Sequence, residues 1–184
     1  MESNYFPGAW RRSFWNIAAA TLCLLILFAC KEKRSSAVET FDIETGSSVI
    51  RQVPDVAKDQ VFDAILQQYK GKIVLVDFWA TWCGPCRQAL KVMTPLKESW
   101  EDKNIVFVYL TGETSPLEVW NEMVPNIPGE HYRVSEDQWI YWRQVFGIEG
   151  VPTYMIFDKN GKKVQGYTGY PGNDEMQKVI ESLF

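Results

Sequence analysis

Two cysteines separated by two residues, Cys83 and Cys86, are the side chains of this sequence best suited to chemistry. Thiols at this spacing can close into a small disulfide and open again, which is the chemistry of thiol–disulfide exchange. They follow a β-rich apolar run that ends at Trp79, and they open a segment of helical character. A helix N-terminus stabilises a thiolate, and we expect Cys83 to be partly exposed there. Pro85 suits the first helical turn because it has no N–H to lose.

Other uses of a close cysteine pair fit less well. A zinc site needs about two more ligands, and beyond the N-terminal apolar run the sequence offers His131, which we interpret as a loop residue, and carboxylates. A structural disulfide across so short a loop stabilises little, because stabilisation falls with loop size. The pair therefore predicts a redox-active disulfide, with no metal and no other cofactor.

The N-terminus has the features of an export signal. Arg11 and Arg12 precede the apolar run 17–29, which is shorter than the roughly 20 residues that cross a bilayer. The run ends in Leu27-Phe28-Ala29-Cys30, which resembles a bacterial lipobox. This resemblance implies cleavage after residue 29, lipidation of Cys30, and a lipid anchor in the cell envelope facing the periplasm.

The alternative is an uncleaved membrane anchor. It conflicts with the positive-inside rule, because more cationic residues follow the run than precede it. We predict a signal peptide over 1–29, a lipidated N-terminus and tether over 30–54, and a folded domain over 55–184.

Composition narrows the classes of function. The formal net charge of −4 argues against nucleic-acid binding, which needs a basic face. The folded body holds Cys83 and Cys86 as its cysteines, so it has no disulfide framework and no further thiol to mispair, which suits an oxidising compartment.

Apolar periodicity and turn residues predict alternating elements after residue 54. These are a helix over 55–69, a buried strand over 73–79, a helix from Cys83 toward Trp100 with a kink at Pro95, a strand over 105–110, a helix from a capping Ser115 to about Val124, a short strand over 131–134, a helix from a capping box at Ser135 to Phe146, a hairpin over 154–167, and a helix over 174–183. Segments 41–43 and 49–53 could form short strands. The order predicts an α/β fold, a mixed sheet with helices on both faces.

Two motifs carry a resemblance to a known family. Residues 77–87, Asp77-Phe78-Trp79-Ala80-Thr81-Trp82-Cys83-Gly84-Pro85-Cys86-Arg87, resemble the thioredoxin signature. With the secretory start and the long segment before Val151-Pro152-Thr153, the chain is similar to the TlpA/ResA-like branch of extracytoplasmic thioredoxins. The resemblance covers about 55–184, and it implies a thioredoxin-like fold and thiol–disulfide exchange with protein substrates.

The resemblance also implies roles. Cys83 is the attacking thiolate and Cys86 the resolving thiol. Pro152 is a cis-proline beside them, and the Val151 backbone pairs with an extended substrate; the alternative is an ordinary strand-opening proline. The expected apolar docking surface comprises Trp82, Gly84, Pro85, Val151 and Gly169.

Asp77 is the implied proton acceptor for Cys86. Strand alternation places it on the face of Trp79, inside the apolar run. A buried carboxylate is costly without a role or a partner, and the alternative is a structurally satisfied acid. The sequence departs from the family at Ala89, where many relatives carry glutamate, and at Lys91, where a proline is expected.

The leading hypothesis is a reductase of protein disulfides that receives electrons from an unidentified membrane donor. One alternative is an oxidase or isomerase of the same fold. The other is a non-enzymatic metal-delivery or binding module, which the two-residue spacing of the cysteines disfavours.

Overall fold

A computed structural model of the chain describes residues 43–45 and 48–184. The strands are β1 Ile43–Thr45, β2 Ser48–Ile50, β3 Ile73–Phe78, β4 Ile105–Thr111, β5 Gly129–Arg133, β6 Thr153–Phe157 and β7 Lys163–Thr168. The helices are α1 Val61–Gln67, α2 Gly84–Glu98, α3 Leu117–Met123, α4 Glu136–Phe146 and α5 Asn173–Glu181, with a 3₁₀ helix at Val124–Asn126. The predicted signal peptide and Cys30 lie outside the described residues.

The strands form one mixed sheet in the order β1-β2-β5-β4-β3-β6-β7. At its centre β3 runs parallel to β4, with Asp77 opposite Tyr109, and antiparallel to β6, with Asp77 opposite Tyr154. β5 pairs in parallel with β4 and β2, whereas β7 and β1 are antiparallel to β6 and β2.

Strand β3 is buried along its whole length because helices cover both faces of the sheet. Val74, Val76 and Phe78 pack into a cluster with side chains of α1 and α4. Leu75 points to the opposite face, where side chains of α2 and α5 complete a second cluster. The predicted α/β fold with helices on both faces is confirmed.

Helix α4 begins and ends as predicted. Ser135 accepts a hydrogen bond from the N–H of Gln138, and the Gln138 side chain bonds back to the N–H of Ser135. Trp139 and Trp142 are buried in the core, as the aromatic spacing indicates.

The predicted capping role of Ser115 is wrong. Helix α3 begins after Pro116 and has no side-chain cap. The Ser115 side chain is fully buried and turns inward, where it accepts a hydrogen bond from the Thr81 N–H at 3.0 Å and pairs with Thr111 Oγ1 at 2.8 Å. The Ser115 hydroxyl therefore forms hydrogen bonds with Thr81 and Thr111 instead of capping α3.

The sheet includes residues N-terminal to position 55. Strand β2 runs parallel to β5, and Ser48 donates its hydroxyl hydrogen to the carbonyl oxygen of Ile127 at 2.7 Å. Arg51 forms an ion pair with Glu130 at 2.6 Å. Part of the predicted tether is therefore an edge of the sheet.

Candidate active site

The two cysteines form a disulfide at the N-terminus of α2. The Cys83–Cys86 S–S distance is 2.00 Å. Cys83 is the N-cap residue in an extended conformation, and its Sγ accepts a hydrogen bond from the Cys86 N–H at 3.1 Å. Pro85 lies in the first turn of the helix, as predicted. A sulfur at this position faces the free amides and positive end of a helix, so a thiolate on Cys83 would be stabilised.

The expected exposure of Cys83 is wrong for this oxidised state. Cys83 is 3% exposed and Cys86 is fully buried, because both pack into a cluster with Trp79, Tyr109 and the α3 helix. The exposed side chain at the motif is Trp82, at 60%.

The loop before β6 borders the disulfide. The Val151–Pro152 peptide bond is cis, as the resemblance implies. The carbonyl oxygen of Val151 lies 3.5 Å from Cys83 Sγ. Gly169, with a φ of 80°, donates its N–H to the carbonyl oxygen of Pro152 at 2.8 Å. The structure thus brings Val151, Pro152 and Gly169 together beside Cys83, at the edge that exposes Trp82, Gly84 and Pro85.

The turn that carries Cys83 is tied to the segment after β4. The Ser115 hydroxyl accepts from the Thr81 N–H, and the Ser115 carbonyl accepts two hydrogen bonds from the Arg133 guanidinium at 3.2 Å each. Sequence analysis missed this support, because the partners are far apart along the chain and no local pattern joins them.

Asp77 is buried in β3, where it lies between Tyr109 of β4 and Tyr154 of β6. It is 2% exposed, and neither carboxylate oxygen has a hydrogen-bond partner within the described part of the chain. Burial raises the pKa of Asp77 to about 8, and the positive charge of Lys97 opposes part of that rise. The carboxyl group is therefore able to exchange a proton near neutral pH, as an acceptor for a buried thiol must.

Lys97 is the charged partner in this region that sequence analysis missed. Its Nζ donates to the Tyr109 hydroxyl at 2.7 Å and to the Pro128 carbonyl at 2.6 Å. Burial lowers the pKa of Lys97 to about 8, while Asp77 opposes the fall. Helical spacing is the sequence signal that could have identified it, because Lys97 lies four residues after the buried Met93 and so on the same face of α2.

His131 lies in the strand Gly129–Arg133, which agrees with the predicted short strand over 131–134, so its interpretation as a loop residue is wrong. The side chain is fully buried and stacks on Tyr109 with 4.8 Å between ring centroids. Its Nε2 donates to the Ile127 carbonyl at 2.7 Å, and burial lowers the pKa of His131 to about 4. Within residues 43–45 and 48–184, no three His, Cys, Asp or Glu side chains cluster in a way that could hold a metal.

Comparison with known proteins agrees with this geometry. A family model described as a thioredoxin-like domain matches residues 62–184. The chain is 26% identical over 118 residues to the thiol-disulfide oxidoreductase ResA of Bacillus anthracis, covering 64% of this chain and 67% of that protein. It is 29% identical over 122 residues to a thioredoxin of Listeria monocytogenes, covering 66% of this chain and 93% of that protein.

A solved structure shares the fold. The thioredoxin domain of a thiol-disulfide oxidoreductase from Bacteroides vulgatus matches with a TM-score of 0.57 at 23% identity, over 65% of this chain and 84% of that one. The arrangement of sheet and helices is therefore that of a known thioredoxin domain.

Proposed function

Because this chain belongs to the thioredoxin-like domain family and is a thiol–disulfide oxidoreductase, we propose that it works as a reductase of protein disulfides in the bacterial cell envelope. The observation that carries the proposal is the Cys83–Cys86 disulfide at the N-terminus of α2, with Gly84 and Pro85 between the sulfurs. Neither intervening residue supplies a charge that would favour the thiolate beyond what the helix end provides.

The reaction moves two electrons from the protein dithiol to a substrate disulfide. The Cys83 thiolate attacks one substrate sulfur, the substrate S–S bond breaks, and the first substrate thiolate leaves with a proton from solvent. Cys86 loses its proton to Asp77 and attacks Cys83 Sγ, which breaks the mixed disulfide and closes the Cys83–Cys86 disulfide. The second substrate sulfur leaves as a thiolate and takes up the proton that Asp77 received from Cys86. A membrane-bound dithiol donor, of unidentified nature, returns two electrons and two protons for the next cycle.

Substrate binding uses the edge around Cys83. The exposed Trp82 supplies an apolar contact, and the carbonyl of Val151, 3.5 Å from Cys83 Sγ, is an acceptor for the backbone N–H of an extended peptide. Such pairing would hold the substrate sulfur in line with the attacking thiolate.

The reduction potential is expected to lie below about −220 mV. A histidine between the cysteines would stabilise the reduced thiolate and raise the potential toward the value of strong oxidants, about −120 mV. Because Gly84 and Pro85 are uncharged, the helix N-terminus is the main group that stabilises the Cys83 thiolate. The same holds for thioredoxin, whose reduction potential is about −270 mV. Equilibration of the full chain with dithiothreitol or glutathione buffers measures this value, and an insulin reduction assay measures the activity itself.

A potential above about −180 mV, the range of disulfide isomerases, would contradict the reductase direction. It would favour an oxidase or isomerase on the same fold. Absence of insulin reduction at any protein concentration would contradict the proposed activity as a whole.

The proposed location rests on the N-terminal sequence. Among the helices of the described region, none has the length and apolar character needed to span a bilayer. We expect Cys30→Ala to block lipidation and leave an uncleaved precursor, because the cysteine would be both the lipidated residue and the first residue of the mature protein. Mass spectrometry of the N-terminus after expression in a bacterial envelope checks this, and an unmodified Met1 on membrane-bound wild-type protein would refute it.

A further inference from the structure

A groove of about 390 Å³ lies between α2 and the segment formed by α3 and the following 3₁₀ helix. Its lining includes the apolar side chains of Leu90, Met123 and Ile127. Arg87 and Lys91 also line it from α2, and Glu122 lines it from α3. An apolar lining with charged side chains around it is typical of surfaces that take a peptide rather than a small ion.

The groove adjoins the cluster of side chains that encloses the two cysteines. Arg87 directly follows Cys86, and Leu90 and Met123 pack against the cluster that buries both cysteines. Lys91 is five residues beyond Cys86, which corresponds to about 7–8 Å along a helix at about 1.5 Å per residue. An extended chain covers that distance with two or three residues, at about 3.3 Å each.

Arg87 and Lys91 are exposed and lack ion-pair partners within residues 43–45 and 48–184. Lys97, the third cation of α2 that lines the groove, is partly buried and donates to Tyr109 and Pro128. Arg87 and Lys91 lie on the same side of the groove, which α2 forms. The protein as a whole carries a formal net charge of −4, so the positive character of this wall is local. Unpaired cations beside an apolar lining attract an acidic partner.

We propose that this groove binds an acidic segment of the protein substrate, two or more residues away from the substrate disulfide. The inference rests on the proposed function, because it assigns a substrate class to the same redox site. Carboxylates of the substrate pair with Arg87 and Lys91, while its apolar side chains contact Leu90, Met123 and Ile127. The groove thereby favours substrate disulfides that have acidic residues nearby, although the exchange reaction at Cys83 is the same for every disulfide.

A peptide fits this surface better than an anionic membrane. The site is concave with an apolar lining, whereas a bilayer surface requires a convex or flat cationic face. Glu122 also lies at the groove and would repel anionic headgroups, while a peptide can place its carboxylates on the α2 side alone.

The test compares two disulfide-containing peptides of equal length, one with acidic and one with basic residues flanking the disulfide. We expect the wild-type protein to reduce the acidic peptide with a higher kcat/KM. In Arg87→Glu/Lys91→Glu the acidic-to-basic ratio of kcat/KM should fall about tenfold, because four units of charge change at the site. Using the ratio cancels any effect of Arg87 on the reactivity of Cys83. The wild-type preference should also weaken at high salt.

The control is Lys70→Glu/Lys72→Glu. It makes the same change in net charge at two exposed lysines before β3, at the end of that strand opposite the cysteines. The ratio should stay at the wild-type value. Circular dichroism of both double variants checks that they are folded.

Three results would contradict the proposal that the groove binds an acidic segment of the substrate. Equal ratios in the wild type and in Arg87→Glu/Lys91→Glu would overturn the proposal, as would an equal fall in the control. Inhibition by phosphatidylglycerol vesicles that the double variant abolishes, without any peptide preference, would assign the surface to a membrane instead. Wild-type turnover of bis(2-hydroxyethyl) disulfide, which is too small to reach the groove, tests the proposed function separately.

Discussion

Cys83→Ser is expected to abolish disulfide reduction, whereas Cys86→Ser should retain the first attack and accumulate mixed disulfides with substrate. The loss in Cys83→Ser should exceed about a thousandfold, because a serine hydroxyl is not ionised near neutral pH and cannot exchange with a disulfide. In Cys86→Ser the mixed disulfide has no resolving thiol to break it.

The geometry supports these different roles of Cys83 and Cys86. Cys83 Sγ lies 3.5 Å from the Val151 carbonyl at the edge where a substrate would bind, and it accepts the hydrogen bond from the Cys86 N–H. Cys86 is fully buried beneath it and can be reached only from within the protein. An incoming disulfide therefore meets Cys83 first.

Non-reducing gels and mass spectrometry after incubation with insulin or an envelope extract measure the trapped species. The double variant Cys83→Ser/Cys86→Ser is the control and should trap nothing. Equal trapping by the two single variants would show that either sulfur can attack, and would reverse or remove the assigned roles.

The elements predicted correctly are those whose signals are local. Strand β3 was expected over 73–79 and spans Ile73–Phe78, because an unbroken β-rich apolar run is typical of a strand buried on both faces. The start of α4 followed from its capping box. The hairpin predicted over 154–167 contains Asn160-Gly161, a dipeptide typical of hairpin turns, and Gly161 has a φ of 79°. The cysteine motif belongs to the same group, since the thiols and the helix start are adjacent in sequence.

What escaped prediction depends on contacts between distant segments. Ser115 has the sequence context of a helix cap, yet its side chain is buried and hydrogen-bonded to Thr81 and Thr111. His131 has no apolar periodicity around it, and it is buried only because β5 lies between β2 and β4. Strand β2 overlaps the segment 49–53 that could form a short strand, but it is three residues long, and its pairing with β1 and β5 has no signal in its own sequence.

Asp77 was identified from its place in an apolar strand, but its electrostatic partner was not. Lys97 is 20 residues away and reaches the same region through the Tyr109 hydroxyl. Sequence spacing fixes which face of α2 the lysine occupies, and only the packing of α2 on β4 brings its charge near Asp77.

Asp77→Asn is expected to stabilise the oxidised protein at pH 7, by up to about 4 kcal/mol, because pH 7 lies about three units above the unfolded pKa of Asp77. The folded pKa of Asp77 is raised from 3.8 to about 8, so between these values the folded state holds a proton that the unfolded state has released. The free energy of unfolding of the wild type therefore falls as pH rises from about 4 to about 8, and Asp77→Asn removes that slope. Urea unfolding at several pH values measures the difference. Asp102→Asn, an exposed position before β4, is the control and should leave the slope unchanged.

The same variant should be slower, by about tenfold or more near neutral pH, because Cys86 loses its internal proton acceptor. The deficit should shrink at alkaline pH, where the thiol ionises without help.

Lys97→Gln distinguishes a proton-transfer role from a structural one. Removing the cation that holds down the pKa of Asp77 should move the rising limb of the rate profile to higher pH, without removing the carboxylate. Identical rate–pH profiles in the wild type, Asp77→Asn and Lys97→Gln would show that the buried pair serves the fold and not the exchange of protons with Cys86.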